Sequence, residues 1–176
     1  EHARTGQSFT VLGAPGVGKT WVLAKIKECL EEELGENVVC LAPTHAAARL
    51  LPDGDTIHHF CGKYALQANF KGTILLDEIS MVALPLLTCL AHLTLLAGTR
   101  IITFGDFSQL APIPESNSWR GSPVPPTAFQ ESRLYKTLST CTRFVLTRCR
   151  RSDEAHFKFY TTIPAKTLSR AVAQSK

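Results

Sequence analysis

The octapeptide Gly13-Ala14-Pro15-Gly16-Val17-Gly18-Lys19-Thr20 constrains this chain more than any other stretch. It fills every fixed position of the pattern G-x-x-x-x-G-K-[ST]. Glycines let a loop take positive φ and wrap tightly. The wrapped loop turns its N–H groups inward and makes an anion nest. A helix beginning at or just before Lys19 adds unpaired donors and partial positive charge at the same point. Lys19 supplies a point charge for β- and γ-phosphates, and the Thr20 hydroxyl is placed to bind Mg²⁺. The neighbours agree: Phe9-Thr10-Val11-Leu12 reads as a buried strand, and Trp21 to Ile26 as a helix.

With 176 residues, 44% of them hydrophobic, the chain is long enough for one sizeable core. No apolar run approaches the ~20 residues of a membrane span, so no membrane partner is expected. The polar start has no signal-peptide character, and without an initiator Met the chain is expected to be a fragment or a processed product. Six scattered cysteines form no C-x-x-C pair, which argues against zinc or a redox pair and suits a reducing intracellular compartment. Charge is uneven. Residues 1–88 carry seven Lys and Arg against ten acids, and residues 89–176 carry twelve against five. A basic C-terminal half is compatible with a polyanion, or with a solvated face.

Taken in order, strands are expected at 8–12, 37–41, 72–76, 100–104 and 144–147. Helices are expected at 18–34, 46–51 and 81–96, the last apolar nearly throughout and so buried, with another over 153–163. Val22, Ile26, Leu30 and Leu34 recur at helical spacing and should face a sheet. Pro52-Asp53-Gly54-Asp55 reads as a turn, Thr56 as a cap for a short helix, and 112–126 as an irregular loop. Alternating strands and helices imply a parallel α/β sheet with ligands at the strand C-termini.

Four strand ends finish in polar or Gly-rich stretches and should converge. Asp77, after Thr73-Ile74-Leu75-Leu76, can hold Mg²⁺ opposite Thr20. Glu78 can act as general base on an attacking water. Gln109 can hydrogen-bond a γ-phosphate or that water and so sense nucleotide state. Arg150 can reach a phosphate and stabilise transition-state charge, with Arg148 and Arg151 competing for the role.

The blocks GAPGVGKT, APTHAAARLL, TIHHF, LLDEISM and FGDFSQLAPI together resemble superfamily 1 helicases, nearest the Pif (petite integration frequency) and RecD-like DNA helicases. The stretch Phe129 to Tyr135 resembles that branch's Phe-x-x-x-x-x-aromatic segment. Leu146 to Asp153 resembles its R-x-x-D block. The resemblance covers residues 8 to 160 and implies a P-loop NTPase of RecA-like three-layer architecture with a parallel central sheet. It implies that Gly13 through Thr20 and Gln109 bind ATP, that Thr20 and Asp77 bind Mg²⁺, and that Lys19, Glu78, Gln109 and Arg150 carry the chemistry. It implies single-stranded DNA contacts at Pro43, Thr44, His45, Thr56, His58 and Phe60, since hydroxyls and N–H groups suit phosphates and aromatics suit base faces. Further implications are 5′-to-3′ unwinding in DNA repair, recombination or telomere maintenance, in a nucleus, mitochondrion, virus or cytoplasm.

The chain departs from that pattern at both ends. The adenine-reading glutamine segment has no clear counterpart before Phe9, since Gln7 lies close to the loop. Residues 1–165 would form the first motor domain and 166–176 a tail, with a second RecA-like domain expected in the full-length protein. Alone, the chain should bind nucleotide and hydrolyse it slowly without unwinding DNA. A viral-type RNA helicase domain and a non-motor remnant that only binds nucleotide are the alternatives; the TIHHF block favours the DNA branch.

Overall fold

A computed structural model describes residues 1–64, 67–108, 130–139 and 142–150. Six strands form one sheet: β1 (Phe9–Gly13), β2 (Val38–Ala42), β3 (Gly54–Thr56), β4 (Thr73–Leu76), β5 (Arg100–Gly105) and β6 (Arg143–Leu146). Their order is β3-β2-β4-β5-β1-β6, and every neighbouring pair is parallel. All strand C-termini therefore lie on one edge, as the alternating pattern predicts. All residues of the inner strands β4 and β5 are buried. Their near-continuous apolar sequences follow from being covered on both faces.

Helices α1 (Lys19–Glu28) and α2 (His45–Ala48) cover one face; α3 (Ile57–Tyr64), α4 (Leu84–Ala97) and α5 (Arg133–Ser139) cover the other. The first layer packs Leu23, Leu30, Ala48 and Leu51 on Phe9, Val11, Cys40, Ile102 and Phe104. The second packs Ile57, Phe60, Leu90 and Leu138 on Leu41, Ile74, Leu76 and Ile101. This is the three-layer sandwich expected of a RecA-like domain. Among the described residues, no helix is long and apolar enough to cross a membrane.

Three local expectations need correction. The turn over 52–55 ends in β3, whose Gly54 and Thr56 register with Cys40 and Ala42. Three residues carry no periodicity, so only the open edge of β2 makes this segment a strand. The helix expected over 81–96 starts at Leu84, with Pro85 in its first turn. It is not buried throughout, because Leu95 and Leu96 stay 72% and 65% exposed. The run of inward positions from Val22 breaks at Leu34, which is exposed. A π-helical turn over Cys29–Glu33 shifts the phase of the residues after it. The expected loop at 112–126, the helix over 153–163, and the tail lie outside the described residues.

Candidate functional site

The edge formed by the strand C-termini carries the loop, the acids and the arginines. β1 runs into the loop at Gly13, and α1 begins at Lys19. Gly16 and Gly18 have φ of 81° and 94°, a conformation that a residue with a Cβ adopts only under strain. No side chain caps the start of α1, which leaves its first amides for an anion. Lys19 is buried at 9% exposure, and its Nζ donates to the carbonyls of Gly13 at 2.7 Å and Ala14 at 3.2 Å. The ammonium thus lies inside the loop at the centre of the proposed phosphate nest. Thr20, one residue on, is exposed at the mouth.

Asp77 follows β4. Its N–H bonds the Leu41 carbonyl at 2.8 Å, and its Oδ1 accepts from the Glu78 N–H at 2.9 Å. Burial raises its carboxyl pKa, opposed by that N–H and by the charge of Lys19. Glu78 is likewise raised, by burial first and by the carboxylates of Asp77 and Asp106, with Lys19 pulling it down. Lys19 is therefore close enough to act electrostatically on both acids. Glu78 has φ 52° and ψ 45°, left-handed for a non-glycine residue, and its Oε2 is buried without a hydrogen-bond partner. Such strain belongs where surrounding structure over-determines a side chain.

The donors fit a magnesium ion. The Thr20 hydroxyl and the Asp77 carboxylate are hard oxygens, and a buried carboxylate with a raised pKa is stabilised by a cation. No group of three or more His, Cys, Asp or Glu able to hold a metal occurs among the described residues. Two protein donors suit Mg²⁺, which keeps several waters and takes substrate phosphate oxygens as well.

β6 brings the arginines to the loop. The Arg150 N–H bonds the Gly16 carbonyl at 3.0 Å, and a Cβ on Gly18 would lie 4.0 Å from Arg150 Cδ. Arg148 and Arg150 share a cavity of about 280 Å³ with Gly18, Trp21, Val22 and Val145. Arg151 and Gln109 lie outside the described residues. Sequence reasoning did not single out Trp21, which is 64% exposed beside the loop. A tryptophan in the first turn of α1, off the inward face of that helix, was the available signal.

Beyond β2 and β3 the expected polynucleotide contacts divide. Thr44 and His45 are exposed and Pro43 is half-buried. The Thr44 Oγ1 caps α2 by accepting from the Ala47 N–H at 3.2 Å. His58 is exposed on the neighbouring helix. Thr56 is buried, and its Oγ1 accepts from the His59 N–H at 3.3 Å, the helix cap read from the sequence. Phe60 is a correction. It is 3% exposed and packs on Tyr64 and Phe70, with ring centroids 4.8 and 5.0 Å away, so its face is turned to the core. An aromatic at that spacing serves a helix's inner face as readily as a base, and burial decides here.

Three comparisons bear on this arrangement. A family model described as an AAA domain matches residues 2–151. The fold is similar to the crystal structure of Pif1 helicase from Candida albicans, with TM-score 0.69 and 21% identity over 94% of this chain and 43% of that one. It is also similar to Bacteroides Pif1 bound to single-stranded DNA, with TM-score 0.63 and 24% identity over 90% and 42%. An uncharacterized protein, R530 of Acanthamoeba polyphaga mimivirus, is 29% identical over 162 residues, which take in 70% of this chain and 33% of that protein. The chain thus spans under half the length of each of these relatives.

Proposed function

The chain belongs to the AAA domain family, and from that premise we propose that it is the nucleotide-binding and hydrolysing first motor domain of an ATP-dependent DNA helicase. One observation carries the reading: the Lys19 ammonium is held inside the loop by the Gly13 and Ala14 carbonyls, on the same sheet edge where β4 ends in Asp77 and Glu78. A lysine and two adjacent acids on one phosphate nest are the parts that triphosphate hydrolysis requires.

Each residue has a distinct task. The loop amides and Lys19 hold the β- and γ-phosphates, with Lys19 exchanging its Gly13 and Ala14 carbonyl partners for phosphate oxygens. Thr20 and Asp77 would hold Mg²⁺, which when bound neutralises phosphate charge. The unpartnered Oε2 of Glu78 accepts a hydrogen bond from a water and takes its proton as the water oxygen bonds the γ-phosphorus and the bond from that phosphorus to the β–γ bridging oxygen breaks, releasing ADP and phosphate. Its raised pKa makes it a stronger base than an ordinary carboxylate. Arg150, tied by its backbone to Gly16, takes the γ-phosphate charge, and Gln109 reports the nucleotide state.

Pro43, Thr44, His45 and His58 form the polynucleotide-facing edge in this reading, with single-stranded DNA the partner and 5′-to-3′ movement the outcome in the full-length protein. Repair, recombination or telomere maintenance would be the setting. A second RecA-like domain supplies the closing motion that one domain lacks. The test is ATP turnover by the chain titrated with single-stranded DNA or RNA of equal length. Stimulation by DNA supports the reading. Stimulation by RNA alone assigns the domain to RNA helicases, and no Mg-ATP binding removes the nucleotide site altogether.

A further inference from the structure

We propose that Tyr135 is a positioning residue for phosphate chemistry, because this one side chain touches β1, which delivers the loop, Phe107 in the turn that follows β5, and β6, which delivers the arginines. This rests on the nucleotide reading above. Tyr135 is fully buried on α5. Its hydroxyl donates to Thr10 Oγ1 at 2.8 Å, and Thr10 Oγ1 lies 2.7 Å from Thr103 Oγ1. Thr10 and Thr103 are direct partners in the β1–β5 register. β1 then runs on into the loop and β5 into Asp106. The Tyr135 ring meets the Phe107 ring edge to face, centroids 5.7 Å apart at 85°. The Arg143 guanidinium, on β6, stands 5.3 Å above the Tyr135 ring centre.

The end of β5, which leads directly into Phe107, is packed on the acids' own turn. A Cβ on Gly105 would come within 2.8 Å of Ile79 Cγ2 and 3.1 Å of the Ile79 nitrogen. A shift of Phe107 is therefore passed to the Asp77–Ser80 turn. Three hydroxyls buried at mid-sheet are not needed for stability alone, since an apolar set of the same shape would fold about as well. Joined as one chain, they hold β1 and β5 in fixed register beneath the two halves of the site.

The test uses the 176-residue chain under steady-state conditions with excess Mg-ATP, with kcat expressed per folded molecule and ATP affinity measured in parallel. Tyr135→Phe keeps the ring and removes only the hydroxyl. It should lower kcat roughly three- to tenfold while KM for ATP stays within about twofold. Thr103→Val cuts the same chain from its far end and should give a similar loss. The double variant should be no slower than the worse single one, since both cut one network. Wild-type kcat per folded molecule in both single variants would make Tyr135 a core prop and overturn the inference alone. A wild-type chain that binds Mg-ATP without turning it over also overturns the inference, while the nucleotide site stands. Failure to bind Mg-ATP sinks both.

Discussion

Glu78 offers a prediction in which stability and activity move in opposite directions. Its φ of 52° places a residue bearing a Cβ in the left-handed region. That conformation costs ~1–2 kcal/mol for an L-residue. Glycine adopts it freely but loses about 0.4–1 kcal/mol through the greater freedom of its unfolded chain. Glu78→Gly should therefore gain about 1 kcal/mol net, worth roughly 2–4 °C in Tm for a domain of this size. Glu78→Gln keeps the strain and removes only the charge, so it is the control. Melts in EDTA compare the three proteins, and both variants should have lost turnover. Folding raises the Glu78 and Asp77 pKa values above the ordinary 4.5 and 3.8. The stability linked to these protons is full below the ordinary values and is lost as pH rises through the raised ones. As pH rises above the ordinary carboxylate range, the wild-type Tm should therefore fall more steeply than that of Glu78→Gly. A Glu78→Gly protein that melts at or below Glu78→Gln would refute the strain argument.

The other expectations concern the loop, its neighbour and the core. Lys19→Ala should abolish Mg-ATP binding by titration calorimetry, and wild-type affinity in that variant would remove the site assignment. Trp21, exposed beside the loop in the cavity that Arg148 and Arg150 line, offers its ring to the nucleotide base, so Trp21→Ala should weaken ATP by ~1–3 kcal/mol, the range of a stacked base, yet leave inorganic triphosphate affinity unchanged; equal losses for both ligands would place the base elsewhere. Phe60→Ala should lower stability by about 3–5 kcal/mol as an aromatic core truncation. A well-folded Phe60→Ala chain that loses only polynucleotide affinity would restore its surface role. Thr44→Ala should cost about 1 kcal/mol through its cap, whereas Thr44→Ser should melt with the wild type.

The site was legible where chemistry demands a local pattern. Gly16, Gly18, Lys19 and Thr20 can be read together because a phosphate nest needs adjacent N–H groups, positive φ and one ammonium. Asp77 and Glu78 were legible because they end an apolar strand. Phe60 misled because an i-to-core aromatic and a base-stacking aromatic look the same along the chain. Trp21 carries no such mark, because an exposed tryptophan has no partner at fixed spacing along the chain. β3 escaped because three residues show no period.

By itself, the order of residues determined the phosphate loop, the parallel α/β class and the acids at one strand end. These depend on spacing within a few neighbours, where backbone geometry leaves few options. Only the tertiary structure decided that Arg150 bonds the loop at Gly16, that β3 completes the sheet edge, and that Tyr135 reaches Thr10 from 125 residues away. Contacts between distant segments follow from which surfaces can pack without voids or orphaned polar groups. That condition is met by the whole fold at once and leaves no mark at fixed spacing along the chain.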